Sequence, residues 1–213
     1  MRLPKVEFKK TQDVLEVYSE DASRWYKVKP LGVFFPKNTE EAQKCVEFCY
    51  KEGIPITPRG GGSGLTGGAV PENGGIIVST EKMKNFIVEE GFFISEAGAI
   101  SGEIERKANK IGYTLPAQPS SLNFSTIGGN IATDAAGLRS VKYGSARDYI
   151  IELEVILPNG EIKTFGPQEA QIFAGSEGTL GLIAKVKMQL VKLKKRKTFV
   201  FLSEELTQSI KFS

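Results

Sequence analysis

The sequence predicts an α+β protein in which a small βαβ-like part precedes a mainly antiparallel sheet with helices. The first part has an amphipathic helical pattern, NTEEAQKCVEFCYKEG, between short apolar runs. The second part has a hairpin pattern around Glu90-Gly91 and, further on, the alternating run GLIAKVKMQLVKL. A helical period between short strands favours parallel pairing, whereas hairpins and alternation favour antiparallel pairing.

The first part, residues 31–85, follows an N-terminal segment, residues 1–30, that contains one short helical pattern, TQDVLEVYS. The helix of the first part is predicted to start at an Asn38 cap, with Glu41 completing a capping box, and to end before Gly53. Short apolar runs predict its strands: GVFFP (32–36), IPITP (54–58) and GGIIVST (74–80).

The second part, residues 86–193, has the helical pattern SGEIERKANKIG, which Ser101 is predicted to cap and Gly112 to end. The apolar residues of its inward face are predicted to be Ile104, Ala108 and Ile111. DYIIELEVILPNGEIKTF predicts two strands joined by a Pro-Asn-Gly turn. The alternating run places five apolar residues on one face: Leu182, Ala184, Val186, Met188 and Leu190.

The amino-acid composition limits which catalytic bases and metal ligands the chain can offer. The chain has 213 residues, a net charge of +3, two cysteines and no histidine. The lack of histidine removes the commonest general base and the commonest metal ligand. Cys45 and Cys49 share a helical face with Ala42 and Val46, so we interpret them as core thiols; a metal or redox pair is the alternative, but a metal would need further ligands. No metal site is predicted.

No apolar run has the length of a signal peptide or a membrane span. The expected location is the cytoplasm, or the membrane surface through a partner. The tail, residues 194–213, contains a strand pattern, TFVFL, and a helix start, SEELTQSIKF, and is predicted to begin a further domain. KLKKRK (192–197) is interpreted as a solvated strand edge, because the small net charge argues against nucleic acid as a partner.

Glycine-rich loops carry the functional prediction. The first, PRGGGSGLTGG (58–68), matches G-x-G-x-x-G, but a dinucleotide-binding loop opens a helix and this one leads to a strand. Consecutive glycines can direct successive N–H groups into one concavity that suits phosphate. For this loop alone, a flexible surface loop or a set of tight turns is an equal alternative.

Two further loops favour the anion-binding interpretation. QPSSLNFSTIGGNIATDAAG (118–137) is rich in hydroxyl groups, and Ser125 or Thr126 is predicted to cap a helix whose first N–H groups face the same anion. GSEGTLG (175–181) precedes the last long strand. Together the loops predict one large, multiply charged ligand lying along them.

These loops resemble those of the FAD-binding domain of the vanillyl-alcohol oxidase and p-cresol methylhydroxylase (PCMH) type. PRGGGSGLTGGAVP, PSSLNFSTIGGNIATDAAG, KYGSARDYI and GSEGTLGLI occur in the order and spacing of that family, across residues 18–195. The branch that the chain resembles contains the FAD-linked subunit of glycolate oxidase, D-lactate dehydrogenases and D-2-hydroxyglutarate dehydrogenases. The resemblance implies a PCMH-type domain of two subdomains, 31–85 and 86–193, that binds FAD for oxidation of a small 2-hydroxy acid.

The resemblance also implies where FAD is bound. Residues 58–64 would wrap the diphosphate, with the turn at 66–67 close by, and 120–126 would run along the diphosphate towards the flavin. Residues 133–136 would line the next part, and 177–183 would hold the adenosine or ribityl region through main-chain groups. The implied contacts are Pro58, Arg59, Gly60, Gly61, Gly62, Ser63, Gly64, Thr66, Gly67, Pro119, Ser120, Ser121, Ser125, Thr126, Gly128, Gly129, Asn130, Thr133, Ala136, Tyr143, Gly144, Glu177, Gly178, Gly181 and Ile183.

Two departures from the family pattern refine the prediction. Family members with covalently attached flavin carry a histidine at the position of Ser63, so non-covalent FAD is predicted. Full-length members continue with a substrate domain that supplies histidines, so a partner chain or domain is predicted to complete the substrate site. Tyr143 and Arg147 would lie near the flavin, but a structural role is at least as well supported, and no catalytic residue is assigned.

Three alternatives stay open at this point. The chain could be a flavin-binding electron-transfer subunit of a larger complex, with no substrate site of its own. It could be a complete small reductase of the same fold, like the enolpyruvyl-UDP-sugar reductases. Nucleic-acid binding through the glycine loops and the lysine run is the third.

Overall fold

The structure is a computed structural model of the chain and describes residues 8–195. Its helices are α1 (Gln12–Val17), α2 (Thr39–Glu52), α3 (Ser101–Lys110), α4 (Ile127–Ala132), α5 (Ser140–Tyr143) and α6 (Pro167–Ala170). Its strands are β1 (Gly32–Phe34), β2 (Ile56–Arg59), β3 (Ile76–Ser79), β4 (Phe86–Glu89), β5 (Phe92–Glu96), β6 (Tyr113–Thr114), β7 (Ile150–Ile156), β8 (Ile162–Phe165), β9 (Leu182–Gln189) and β10 (Val191–Lys192). The predicted α+β class is confirmed.

The first sheet has the order β1-β3-β2 and is parallel throughout, as the βαβ pattern predicts. Ile56 of β2 and Gly32 of β1 both pair with Ile76 of β3, which is buried along its whole length. Arg59 and Ser79 are the last paired residues of β2 and β3. The first glycine loop therefore starts at the carboxyl edge of this sheet, where parallel α/β units place their ligands.

Helix α2 confirms most of its predicted signals. The Asn38 side chain accepts the Glu41 N–H at 2.9 Å, and Gly53 follows the last helical residue with φ of 64°. The capping box is displaced by one residue, because the Glu41 carboxylate accepts the N–H of Lys37 at 2.9 Å and not that of Asn38. The hydrogen bond from the Lys37 N–H to Glu41 thus fixes the segment that leads into the helix.

Cys45 and Cys49 are free and fully buried in α2, which supports their interpretation as core thiols. A hydrogen bond with Cys49 and burial raise the pKa of the Cys45 thiol. We expect neither thiol to react with a disulfide reagent in the native protein at pH 8, and both to react in denaturant. Rapid labelling of the native protein would contradict this burial.

The second sheet is antiparallel, with the order β4-β5-β9-β7-β8, and it includes both predicted hairpins. The alternation of β9 is only partly as predicted. A register shift beside Glu154 and Val155 leaves Ala184 without a paired residue, so the strand changes face there. Leu182 and Ala184 pack in the core beneath α2, and the later members of the run pack in the core of the second sheet.

Helix α3 corrects two predictions. Ile100 is its N-cap, and Ser101 is the first helical residue, whose hydroxyl accepts a hydrogen bond from Asn130 Nδ2 at 2.8 Å. Ile104 and Ala108 are buried, but Ile111 is 44% exposed because it lies past the last helical residue, where the chain turns out of the helical period.

Some predictions cannot be compared with this structure. The TFVFL and SEELTQSIKF patterns, and the last two residues of KLKKRK, lie outside the described residues. Within residues 8–195, every helix is too short or too polar to cross a membrane. The same part of the chain has no group of three or more His, Cys, Asp or Glu side chains that could hold a metal ion.

Candidate functional site

A cleft of about 370 Å³ lies at the carboxyl edge of the first sheet. Its walls are the loops after β2, β3 and β5, helix α4, and the loop that leads into β9. It therefore brings together the three glycine loops that the sequence singles out, although they are far apart along the chain.

Most of the predicted contact residues line this cleft. They are Pro58, Arg59, Gly60, Gly61, Gly62, Ser63, Gly64, Thr66, Ser121, Ser125, Thr126, Gly128, Gly129, Asn130, Thr133, Glu177, Gly178, Gly181 and Ile183. The others lie outside its lining and stay predictions: Gly67, Pro119, Ser120, Ala136, Tyr143 and Gly144.

Sequence reasoning missed several lining residues. Those next to predicted ones could have been included by extending each loop: Leu65, Gly68, Ala69 and Ala132. Ala135 and Leu182 also line the cleft and lie within the predicted ranges 133–136 and 177–183. Thr80 and Ala97 carry no such signal, because only the tertiary fold brings the ends of β3 and β5 to the cleft.

Hydrogen bonds to carbonyl groups and from side chains hold the first loop in place, whereas several of its backbone N–H groups have no acceptor among the described residues. The Gly62 carbonyl accepts the Ala22 N–H at 2.9 Å. Between Gly61 and Thr66, no backbone N–H donates to an acceptor among the described residues. A row of backbone donors beside a cleft needs an outside acceptor, which water or an anionic ligand can supply.

Close approach of two loops explains one glycine, and backbone conformation explains the next. A Cβ added to Gly61 would lie 2.3 Å from the carbonyl oxygen of Phe124, which belongs to the second loop. Gly62 has φ of +63°, which side-chain-bearing residues adopt only with strain. The first loop is thus shaped by main-chain contacts that other residues would break.

Arg59 supports this loop from below. Its Nη1 donates to the carbonyl groups of Glu20 at 2.8 Å and Ala69 at 3.1 Å. Its guanidinium also lies over the Tyr18 ring, 5.0 Å from the centroid. Burial lowers the pKa of Arg59, but an arginine still remains charged at neutral pH. Among the residues of 8–195 that line the cleft, it is the only cation.

The second loop confirms one prediction and corrects another. Thr126 is the N-cap of α4, and its Oγ1 accepts the Gly129 N–H at 3.2 Å. The first amides of α4 do not face an anion, because Ile127 and Gly128 donate to the carbonyl groups of Ala99 and Ala97, both at 2.9 Å. These bonds fix α4 to the second sheet, so the first loop is the main source of unpaired amides.

Ser125 has a buried hydroxyl oxygen that no group among residues 8–195 contacts by hydrogen bond. Ser125 lines the cleft, so a polar ligand can form the missing hydrogen bond with its hydroxyl.

We expect Ser125→Ala to leave the unfolding temperature unchanged or slightly raised, since no internal hydrogen bond is lost. Binding of FAD, the ligand that the resemblance implies, should weaken by about tenfold, the value of one lost hydrogen bond. Ser121→Ala, at a half-buried position in the same lining, is the comparison. Unchanged FAD affinity in Ser125→Ala would mean that this hydroxyl does not contact the ligand.

Asp134 and Arg147 join the second loop to the third. Asp134 accepts from the backbone N–H of Arg147 at 3.1 Å and from its guanidinium, while Arg147 Nη2 donates to the Ala174 carbonyl at 3.0 Å. Burial opposes ionisation of Asp134, but hydrogen bonds from Ser145 and Arg147 outweigh it and lower the pKa of the carboxyl. Arg147 is therefore accounted for by a structural role.

The third loop closes the cleft on the remaining side. Glu177 has φ of +53°, an uncommon value for a residue other than glycine, and its N–H donates to the Ala132 carbonyl at 2.8 Å. Its carboxylate accepts weakly from Thr66 Oγ1, at 3.5 Å. A Cβ on Gly178 would lie 2.9 Å from Pro58, so the first and third loops pack directly together.

Comparisons with known proteins identify the family of the chain. The FAD binding domain family matches residues 30–166. The chain is 38% identical over 203 residues to the glycolate oxidase subunit GlcD of Bacillus subtilis, an alignment that covers 89% of this chain and 43% of that protein. It is 35% identical over 198 residues to the D-lactate dehydrogenase of Archaeoglobus fulgidus, covering 83% of this chain and 44% of that protein.

A solved structure shares the fold. An alkyldihydroxyacetonephosphate synthase superposes with a TM-score of 0.69 at 30% identity, covering 78% of this chain and 35% of its own. The chain thus spans less than half the length of these two curated relatives and of this solved protein.

Proposed function

This chain belongs to the FAD binding domain family, and we propose that it is the FAD-binding part of a flavin-dependent dehydrogenase or oxidase for a small 2-hydroxy acid. The names of its relatives, glycolate oxidase and D-lactate dehydrogenase, support the substrate class. Because the chain spans under half of those proteins, the substrate and the reaction belong to the proposal.

The observation that carries the proposal is the row of unpaired amides from Gly61 to Thr66 beside the cleft. A diphosphate offers several anionic oxygens in a short span, and backbone N–H groups without side chains let it approach closely. We propose that these amides, with the Ser125 hydroxyl, hold the FAD diphosphate. The half-buried Arg59 guanidinium beneath the loop adds positive potential.

Charge also supports an assignment for the third loop. Glu177 is the only carboxylate in the described lining of the cleft, and it would repel a diphosphate. A carboxylate accepts well from the hydroxyl groups of a ribose. We therefore propose that Glu177 and the following residues hold the adenosine or ribityl region, with the Glu177 carboxylate beside Thr66 at the end of the amide row.

The attachment of FAD and its chemistry follow from residue types. Ser63 lacks the nucleophilic nitrogen that a covalent flavin link needs in this family, so we propose non-covalent binding. Bound FAD supplies a two-electron acceptor for the substrate C–H bond. The residues that line the cleft bind and orient FAD. A partner chain or domain would supply the catalytic base and the group that binds the substrate carboxylate.

The domain division is part of the proposal. The strands of the first sheet lie between residues 32 and 79, and those of the five-stranded sheet between 86 and 189. We propose FAD-binding subdomains at 31–85 and 86–193, preceded by an N-terminal segment, with residues 194–213 as the start of a substrate domain. A cytoplasmic location is proposed with them.

A titration tests the proposal. Purified protein is titrated with FAD and, separately, with riboflavin, and the flavin fluorescence and absorbance are followed. We expect a yellow complex of one FAD per chain that releases its flavin on denaturation, with much weaker riboflavin binding and no turnover of glycolate or D-lactate by this chain alone. Absence of flavin binding even at high FAD would refute the proposal.

One observation favours a second candidate, an electron-transfer subunit without a substrate site. Among the described residues that line the cleft, Arg59 and Glu177 are the only ionisable side chains, so the lining offers a single carboxylate and no histidine, lysine or tyrosine for substrate chemistry. To distinguish the two candidates, the chain is mixed with the partner chain or domain that is proposed to supply the substrate site. Substrate-dependent flavin reduction supports the first candidate. Flavin reduction only by a reduced iron–sulfur protein supports the second.

A further inference from the structure

The N-terminal segment contacts the first glycine loop near both ends of its row of amides. Near the start of the row, the Ala22 N–H donates to the Gly62 carbonyl at 2.9 Å. Near its end, Tyr26 Oη donates to the Gly67 carbonyl at 3.4 Å. Both hydrogen bonds are made to carbonyl oxygens, so they hold the loop and leave its N–H groups for a ligand in the cleft.

A third contact lies where the first loop begins. Arg59 Nη1 donates to the Glu20 carbonyl at 2.8 Å, and the guanidinium lies over the Tyr18 ring, 5.0 Å from its centroid. The same guanidinium packs against the loop, because a Cβ on Gly62 would lie 2.7 Å from Arg59 Cζ. The N-terminal segment thus also holds the cation that touches the loop.

We propose that residues 18–26 form a clasp that positions the first glycine loop for FAD, with Tyr18 and Asp21 as its positioning residues. The proposal rests on the proposed function and gives a role to a segment that precedes the matched family domain, which begins at residue 30. Within the described chain, no residue of the clasp lines the cleft, so the clasp acts on FAD through the loop.

Asp21 fixes the turn that presents the Ala22 N–H to the loop. Its Oδ1 accepts the Ser23 N–H at 2.9 Å, and its carbonyl accepts the Arg24 N–H at 3.2 Å. Asp21 is only 5% exposed, although acidic residues are seldom buried. A side-chain oxygen that accepts from the backbone two residues further on is a turn device that asparagine can reproduce and alanine cannot. The turn therefore depends on this acceptor and not on its charge.

Tyr18 fixes the guanidinium of Arg59. Its hydroxyl donates to a carboxylate oxygen of Glu81, and its ring meets the Phe35 ring edge-on, with centroids 5.5 Å apart. Burial and the hydrogen bond to Glu81 raise the pKa of Tyr18 to about 12, so the phenol stays a neutral donor at neutral pH. These two contacts hold the ring so that its face meets the cation.

The clasp acts on one loop and not on the core. Neither Tyr18 nor Asp21 belongs to the two hydrophobic cores of the described chain. Loosening the clasp should therefore free the loop without unfolding either sheet. A loop that takes several directions binds a ligand more weakly, in proportion to the time that it spends away from the binding direction. FAD affinity should thus report on the clasp more strongly than the unfolding temperature does.

The test titrates FAD into the full chain and into variants of the clasp. Tyr18→Leu removes the ring, and Asp21→Ala removes the turn acceptor, so each should raise the dissociation constant of FAD by about tenfold. Tyr18→Phe keeps the ring face and Asp21→Asn keeps the acceptor, so each should bind FAD within about twofold of the wild-type chain. Tyr26→Phe loses only the hydrogen bond to Gly67 and should weaken binding by about threefold; it serves if a larger change prevents folding.

Tyr113→Leu is the matched control. Tyr113 is half-buried and packs against the core of the second sheet, and it does not line the cleft. Its replacement should lower the unfolding temperature and leave FAD affinity unchanged. In protein labelled with ¹⁵N at glycine and free of FAD, the two disruptive clasp variants should shift the peaks of Gly62 and Gly67 but not that of Gly160, which a general loss of stability would not do.

The outcomes separate this proposal from the proposed function. If the wild-type chain binds no FAD, the proposed function fails and the clasp fails with it. If the wild-type chain binds FAD and the variants that break clasp contacts bind it equally well, only the clasp is overturned. Equal weakening in Tyr113→Leu, or no recovery in Tyr18→Phe and Asp21→Asn, would also overturn it, because the loss would then reflect general destabilisation.

Discussion

Replacing Gly61 with valine should abolish FAD binding. The new Cβ would lie 2.3 Å from the Phe124 carbonyl oxygen. Neither atom can rotate away, because the Cβ is bonded directly to the backbone and the oxygen is part of it. The first and second loops would have to separate, and the unpaired amides would lose their common direction. We expect the dissociation constant of FAD to rise at least about 100-fold, or about 2.8 kcal/mol.

Other glycines provide the controls for this change. Gly166 has open space around it and does not line the cleft, so Gly166→Val should bind FAD normally. Gly64 lines the cleft and also has no protein atom within 4 Å of an added Cβ. Gly64→Ala should therefore weaken FAD binding without lowering the unfolding temperature. Unchanged FAD affinity in Gly61→Val or in Gly62→Val would show that the first loop does not hold the ligand.

Asp134→Asn should lower the stability of the fold in a pH-dependent way. Asparagine keeps the size of the side chain and tolerates the φ of +48° at this position, but it loses the charge that pairs with Arg147. We expect the free energy of unfolding at pH 7 to fall by about 1–2 kcal/mol, since the Arg147 side chain is partly exposed. The FAD dissociation constant should rise too, because this pair joins two walls of the cleft.

The pH dependence has a definite sign. The pKa of Asp134 is lower in the folded chain than in the unfolded chain, where it is about 3.9. Its contribution is therefore complete above that value and is lost as the pH falls through the lower, folded value. Denaturant unfolding of both proteins from pH 7 to pH 3 should show their difference shrinking below about pH 4. A difference that stays constant with pH would contradict the ion pair, and Asp13→Asn, at an exposed position, should show little difference at any pH.

Local patterns were sufficient for much of this fold. Asn38 and Gly53 mark the two ends of α2, and the sequence predicts them because cap signals act within a few residues. The hairpins are predicted from turn residues that lie between strand patterns. Ser101 misled because a serine before an amphipathic run is a common cap signal, whereas here Ile100 is the cap and the serine hydroxyl bonds to the distant Asn130. The change of face at Ala184 arises from pairing with β7, which no local pattern encodes.

In the candidate site, too, local sequence patterns predict some features and only the tertiary fold determines the others. The glycine loops were found from composition, because several separate runs of glycine and hydroxyl residues are uncommon in one small domain. Which amides are free could not be found in that way. The amides of α4 are used by Ala97 and Ala99, which are distant in sequence, whereas those from Gly61 to Thr66 stay unpaired among the described residues. Thr80 reaches the cleft only through the parallel pairing of β2 with β3.

The central claim is that the amides from Gly61 to Thr66 hold a diphosphate. Nuclear magnetic resonance of protein labelled with ¹⁵N at glycine measures this directly, with peaks assigned by single glycine-to-alanine changes. We expect the peaks of Gly61, Gly62 and Gly64 to move on addition of FAD, and also of ADP, but not of riboflavin, while that of Gly160 stays in place. FAD binding that leaves those three peaks unmoved would contradict the claim.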